Sequence, residues 1–123
     1  MSKRKIEIKW LAEPQPHDYP AAFSYLSLVG NEAYARHTVL ALQSATMQGF
    51  KAKDIFRASQ LSLLGVSNSH VKKNIKKIEH GDPLSPILMV RHGNDLVIAD
   101  GYHRMCAVYA FDEDAMIPCK LVS

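Results

Sequence analysis

The sequence predicts an α+β fold: a small mixed sheet with helices, carrying a helical insertion in its N-terminal half. Three observations lead there. The apolar period is near two at the start of the chain and again after residue 83, and it is three to four between them. Proline- and glycine-bearing breaks at residues 13–20 and 81–83 separate these regimes. The chain has 123 residues, 47% hydrophobic and 22% charged, which suits one compact domain over residues 1–123 and not a disordered chain.

Each element follows from its own pattern. Lys5-Ile6-Glu7-Ile8-Lys9-Trp10 alternates, so residues 5–10 read as a short strand with Ile6, Ile8 and Trp10 on one face. Pro14, Pro16 and Pro20 then force an extended loop. Asp18, with proline two residues on, reads as the cap of a helix running from Ala21 to Gly30 through Phe23, Leu26 and Val29. Asn31 opens a second helix, whose predicted apolar stripe is Ala33, Tyr34, His37, Leu40, Ala41 and Met47, ending near Gln48-Gly49.

A shorter helix is expected from Ala52 to Ser59, with another turn of helix from Leu61 to Leu64. After the turn residues Gly65 to Ser69, a helix spans His70 to Glu79, with Val71, Ile75 and Ile78 as its apolar stripe and Ser69 as its cap. Gly81-Asp82-Pro83 stops it. Ile87 to Val90 and Leu96 to Ala99 are strands joined by a hairpin turn at His92-Gly93-Asn94-Asp95. Tyr102 to Phe111 reads as a helix and Ala115 to Val122 as a last strand. The block at about 20–66 is thus read as an all-helical insertion into a core at about 70–122.

Composition narrows the function classes. Fifteen basic against twelve acidic residues give a net charge of +3, too mild to demand nucleic acid as a partner. Two cysteines are too few for a disulfide scaffold or a four-thiolate zinc site, and no apolar run reaches membrane length. The basic start lacks the apolar middle of a signal peptide. The expectation is a soluble cytoplasmic protein in a reducing compartment, with Cys106 and Cys119 as buried core thiols.

The segment Ala99-Asp100-Gly101-Tyr102-His103-Arg104 carries the chemistry. A strand ends, a glycine turns the chain, and a helix starts with His and Arg in its first turn. First-turn N–H groups have no intrahelical partner, and the helix dipole adds partial positive charge. Glycine allows close approach, arginine offers a fork for phosphate oxygens, and histidine can donate or shuttle a proton. Asp100 either caps those N–H groups, points away, or acts through a divalent cation such as Mg²⁺.

From about His70 to Val122 the chain resembles the ParB/sulfiredoxin superfamily, through Leu84-Ser85-Pro86-Ile87-Leu88-Met89-Val90, the hairpin, Gly101-Tyr102-His103-Arg104 and Ile117-Pro118-Cys119. The whole chain is similar to short bacterial ParB-like proteins with phrases like His17-Asp18-Tyr19-Pro20-Ala21-Ala22 and Ala52-Lys53-Asp54-Ile55-Phe56-Arg57-Ala58-Ser59. The resemblance implies phosphate binding by Gly101, Tyr102, His103 and Arg104, with a nucleotide such as ATP or CTP and Mg²⁺ as cofactor. In sulfiredoxins a catalytic cysteine precedes the His; Tyr102 stands there instead. In the chromosome-partitioning proteins the element is Gly-Glu-Arg-Arg, from which Tyr102 and His103 depart. Free-serine kinases carry an Asp-Gly-x-x-Arg element, matched by Asp100 to Arg104, and use a separate carboxylate base.

The expected function is therefore nucleotide or small phosphorylated-ligand binding, with phosphotransfer or nucleotide hydrolysis as the reaction class and Asp100, His103 and Asp18 as catalytic candidates. Asp18 or Glu13 would be the base, from the loop after the first strand; Asp18 as a cap and His17 as a solvated side chain are the alternative. Arg57 would reach a phosphate, or else pair with Asp54 on the helix surface. Lys72, Lys73, Lys76 and Lys77 read as a solvated face or as a nucleic-acid contact without a stacking aromatic. The competing function is a non-catalytic, DNA-associated interaction or regulatory module docking through the helical block.

Overall fold

A computed structural model describes residues 6–123. Five helices and four strands run in the order α1 (Asp18–Val29), α2 (Glu32–Ser44), β1 (Gln48–Lys51), α3 (Ala52–Ser59), α4 (Ser69–Glu79), β2 (Ile87–His92), β3 (Asp95–Asp100), α5 (Tyr102–Phe111) and β4 (Met116–Val122). The strands form one mixed sheet in the order β1-β4-β2-β3. β1 and β4 are antiparallel, β2 and β4 parallel, and β2 and β3 an antiparallel hairpin. The α+β class read from the sequence holds at this level.

Strand alternation sends successive side chains to opposite faces, and both faces are buried. Ile87 and Met89 of β2, Ile98 of β3 and Ile117 and Cys119 of β4 pack under α3, α4 and α5. Leu88, Val90 and Ala99 face the other way and pack against Ala22 and Leu26 of α1 and Ala35 and Leu42 of α2. Lys120 of β4, also nearly buried, reaches into that second layer: its ammonium donates to the Gln43 carbonyl at 3.0 Å and to the Tyr19 hydroxyl at 3.2 Å.

The helical-insertion reading is therefore corrected in two ways. Residues 48–51, at whose start the second helix was expected to end near Gln48-Gly49, are a strand that pairs along β4 from Gln48 opposite Cys119 to Lys51 opposite Met116. Four residues with one large apolar side chain and a glycine carry little period of their own; the partner strand supplies their structure. And α1 with α2 is the cover of one sheet face, without which Leu88 and Val90 would meet water.

Local capping chemistry explains the helix ends. Asn31 accepts a bond from the Tyr34 N–H at 2.7 Å, as expected for the cap of α2. Asn68, one residue before the expected Ser69, caps α4 by accepting from His70 and Val71. α3 begins with the N–H groups of Ala52 and Lys53 bonded to the carbonyls of Ala115 and Glu113, so the loop before β4 serves as its cap. Gln60 in the left-handed conformation, φ 57°, ends α3, and residues 61–65 form loop where another helical turn was expected.

Two more expectations change. Among the described residues the N-terminal alternation yields an isolated parallel bridge of Trp10 with Leu84 in place of a strand; Lys5 lies outside the described residues. The buried stripe of α2 is Ala35, Thr38 and Leu42, while Leu40 is 60% exposed. The spacing of three and four is kept but the helix is rotated, so that Ala35 and Leu42 pack with Ala22 and Leu26 of α1 and Leu88 and Val90 of the sheet.

Candidate functional site

β3 ends at Asp100, and Gly101 turns the chain at φ 109°, a conformation that side-chain-bearing residues rarely adopt. The turn is also crowded: a Cβ on Gly101 would lie 2.8 Å from Ile87 Cγ1 and 2.9 Å from Arg104 Nη2. α5 starts at once, and no side chain caps it. Asp100 thus does not act as the cap that the sequence allowed.

Asp100 instead holds Arg104. Nη2 of Arg104 donates to its carboxylate at 2.9 Å and to the Pro86 carbonyl at 3.3 Å, and both side chains are mostly buried. Arg104 Nε is fully buried without a hydrogen-bond partner among the described residues. The guanidinium expected as an open phosphate fork is in this geometry a brace between β3, α5 and the loop before β2.

Asp18 joins the same cluster from the first turn of α1. Its carboxylate accepts from the Gln15 N–H at 2.8 Å and from the Ser85 hydroxyl, and the residue is 2% exposed. It does not cap α1, whose N-cap is His17 without a side-chain bond; the His17 ring is solvent-facing. Asp18 is also a neighbour of Asp100. Burial pushes the Asp100 carboxyl above the ordinary carboxylate range, the Arg104 guanidinium pulls against this, and Asp18 adds to the rise.

The cleft itself opens on the α4 side of the turn, with a volume of about 240 Å³. α4 contributes His70, Lys73, Asn74 and Lys77; the turn contributes Asp100, Gly101, Tyr102, His103 and Arg104. The rings of His70 and His103 sit 4.8 Å apart. Burial, then His70, lowers the His103 pKa below the ordinary histidine value. The Tyr102 hydroxyl donates to the Ser62 carbonyl and anchors the α3–α4 loop beside the cleft. Burial, then Cys106, raises the Tyr102 phenol.

The sequence candidates therefore divide. Asp100, Gly101, Tyr102, His103 and Arg104 converge, and Asp18 stands behind Asp100. Arg57 does not join them: it is exposed on α3, pairs with Asp54 at 3.0 Å, and is absent from the cleft lining. Glu13, the other carboxylate considered as a base, approaches Lys120 at 3.8 Å instead. Sequence reading missed His70, Lys73 and Lys77 as cleft residues. Their spacing of three and four places them on one face of α4, away from Val71 and Ile78, and that was the available signal.

Among the described residues no three His, Cys, Asp or Glu side chains are grouped to hold a metal ion. Asp100, expected beside Mg²⁺, is ion-paired with Arg104 at 2.9 Å. A larger cavity of about 590 Å³ lies at the other end of β3, between α3 and the hairpin, with Ile55, Met89, Leu96 and Leu121 in its wall. Cys106 and Cys119 are free and buried as expected, and burial pushes the Cys119 thiol up to about 12. No helix of the described residues is long and apolar enough to cross a membrane. Comparison with protein-family models, with curated proteins and with solved structures gives no match.

Proposed function

We propose that this chain is a phosphate-binding domain of the ParB/sulfiredoxin type, whose ligand, a nucleotide or small phosphorylated molecule, sits against the Gly101 turn. The carrying observation is the cleft: Lys73, Lys77 and Arg104 bring three cations against the one carboxylate of Asp100, at the uncapped start of α5. Excess positive charge, open backbone N–H groups and a side-chain-free glycine are what an oxyanion needs. His103, whose pKa burial and His70 lower below the ordinary histidine value, is the group we assign to proton transfer there. Asp100, in the cleft lining, and Asp18, its neighbour behind it, are the carboxylates we assign to phosphotransfer or hydrolysis, with Mg²⁺ entering on the ligand's phosphates.

The test is a thermal-shift panel of ATP, CTP, GTP, ADP and pyrophosphate, with Mg²⁺ and with EDTA. A ligand at a hundred times its Kd stabilises the native state by about 2.7 kcal/mol. We expect stabilisation by at least one phosphate ligand, lost in the double variant Lys73→Gln, Lys77→Gln. Those lysines make no intramolecular ion pair among the described residues, so their removal leaves the fold intact; Arg104→Ala is a poorer probe because it unpairs Asp100. Absence of any shift at millimolar concentrations, with or without Mg²⁺, overturns the reading.

A second reading keeps one observation of its own. Leu28 of α1 is 86% exposed, and Leu40 of α2 and Tyr25 of α1 are also exposed, which supports a docking role for the outer α1–α2 face in a non-catalytic module. Solution mass with and without Leu28→Asp separates self-association through this face from a monomer that binds phosphate alone.

A further inference from the structure

We infer that the cleft takes a dianionic, terminal phosphate together with a proton captured by the His70–His103 pair. This rests on the phosphate-binding reading and adds to it the charge state of the ligand. The two rings come from different helices, α4 and α5, and stand 4.8 Å apart inside one small cleft. A positive charge placed on either ring is set among other cations. From α4 they face Lys73 and Lys77; from the turn they face Arg104, which is paired with Asp100; the uncapped start of α5 adds its own positive end.

The countercharge available is small. Asp100 at the end of β3 is spent on Arg104, and Asp18 behind it is bonded to Ser85 and Gln15. Asn74 and Tyr102 complete the lining without charge near neutrality, the phenol being raised above its ordinary value. The lowered His103 pKa agrees with this balance.

An oxyanion reverses the balance. Two negative charges in the cleft favour the imidazolium, which then donates a charge-assisted hydrogen bond to a phosphate oxygen. A phosphodiester brings one negative charge, already answered by the lysines, and gives the histidines less reason to charge. A monoester or the end of a polyphosphate brings two. Binding is therefore linked to proton uptake from solvent, and affinity rises as pH falls toward the ordinary histidine range.

Isothermal titration of the full chain tests this with sulfate, whose charge is fixed at −2 between pH 6.0 and 7.5, and with methyl phosphate against dimethyl phosphate. Two buffers of different ionisation heat count the protons taken up. We expect sulfate to bind roughly tenfold more tightly at pH 6.0 than at 7.5, with proton uptake, and methyl phosphate to bind at least about tenfold more tightly than dimethyl phosphate at pH 7. His70→Gln and His103→Gln should each flatten the pH dependence. The histidine ring protons of the unmutated chain, followed by NMR with and without sulfate, give the same answer should either variant fail to fold: the His103 pKa rises on binding. Sulfate affinity that does not change with pH, or a pH dependence that survives both substitutions, overturns the proton linkage and leaves the phosphate-binding reading standing. No binding of any of the three anions at either pH overturns both.

Discussion

Replacing Gly101 by alanine adds one methyl group at the crowded turn between β3 and α5, and its cost separates into two parts. The backbone part comes from φ 109°, where an L side chain is strained by about 1–2 kcal/mol. The steric part comes from contacts of 2.8 Å with Ile87 Cγ1 and 2.9 Å with Arg104 Nη2. Ile87 is fully buried and has no room to retreat. Arg104 can move only by loosening its bonds to Asp100 and Pro86. Overpacking of this kind costs about 1–3 kcal/mol.

Together the two parts come to about 3 kcal/mol, or about 10 °C in Tm for a domain of this size. Two other glycines calibrate the parts. Gly93 has φ 65° and nothing within 4 Å of an added Cβ, so Gly93→Ala carries the backbone part alone, about 1 kcal/mol. Gly65 has neither constraint, and Gly65→Ala should be neutral or slightly stabilising. Urea denaturation followed through Trp10 fluorescence and far-UV circular dichroism measures all three. Should Gly101→Ala cost no more than Gly93→Ala, the close packing of the turn against Ile87 and Arg104 is wrong, and with it the geometry of the cleft.

Three further outcomes are expected. Leu26→Ala should destabilise the whole chain by about 2–5 kcal/mol in one cooperative transition, because Leu26 fills the layer over Leu88 and Val90; loss of α1 signal ahead of the sheet would mean that the helices are an appendage. Asp100 titrates above its unfolded value, chiefly through burial, so its contribution favours the folded state fully below the ordinary carboxyl range and fades as pH climbs through the folded pKa; Asp18→Asn should bring the Asp100 carboxyl down in a ¹³C-NMR titration, and an unmoved value would deny their contact. Cys106 and Cys119, both raised by burial, should resist Ellman's reagent at pH 8 in the native protein and react fully in guanidinium, whereas rapid native labelling would place either thiol at the surface.

Much of the second half of the chain was legible because its signals are local. The hairpin turn at Gly93-Asn94, the apolar strands on either side, and α5 from Tyr102 to Phe111 fall where period and turn chemistry put them. The same holds for α3 and for the Asn31 cap. The five residues from Asp100 to Arg104 were legible as one cluster because they are consecutive. Their partners were not: Ser85 meets Asp18 across 67 residues, and no local pattern marks that encounter. His70, Lys73 and Lys77 looked like ordinary solvent-facing positions of an amphipathic helix until α5 was packed beside them.

The sequence by itself determined the five helices, the last three strands, many of their ends, the buried thiols, and the strand–glycine–helix junction, since each depends on residues within a few positions of one another. Tertiary structure alone decided that residues 48–51 become a strand, since their hydrogen bonds belong to β4. It also set which face of α2 is buried and bound Arg104 to Asp100 instead of leaving it open to a ligand. The common reason is that burial and charge pairing are settled by whatever the folded chain brings alongside. A guanidinium beside a desolvated carboxylate binds it before any phosphate arrives, and the cations left free to meet a ligand are those that a neighbouring helix turns toward the cleft.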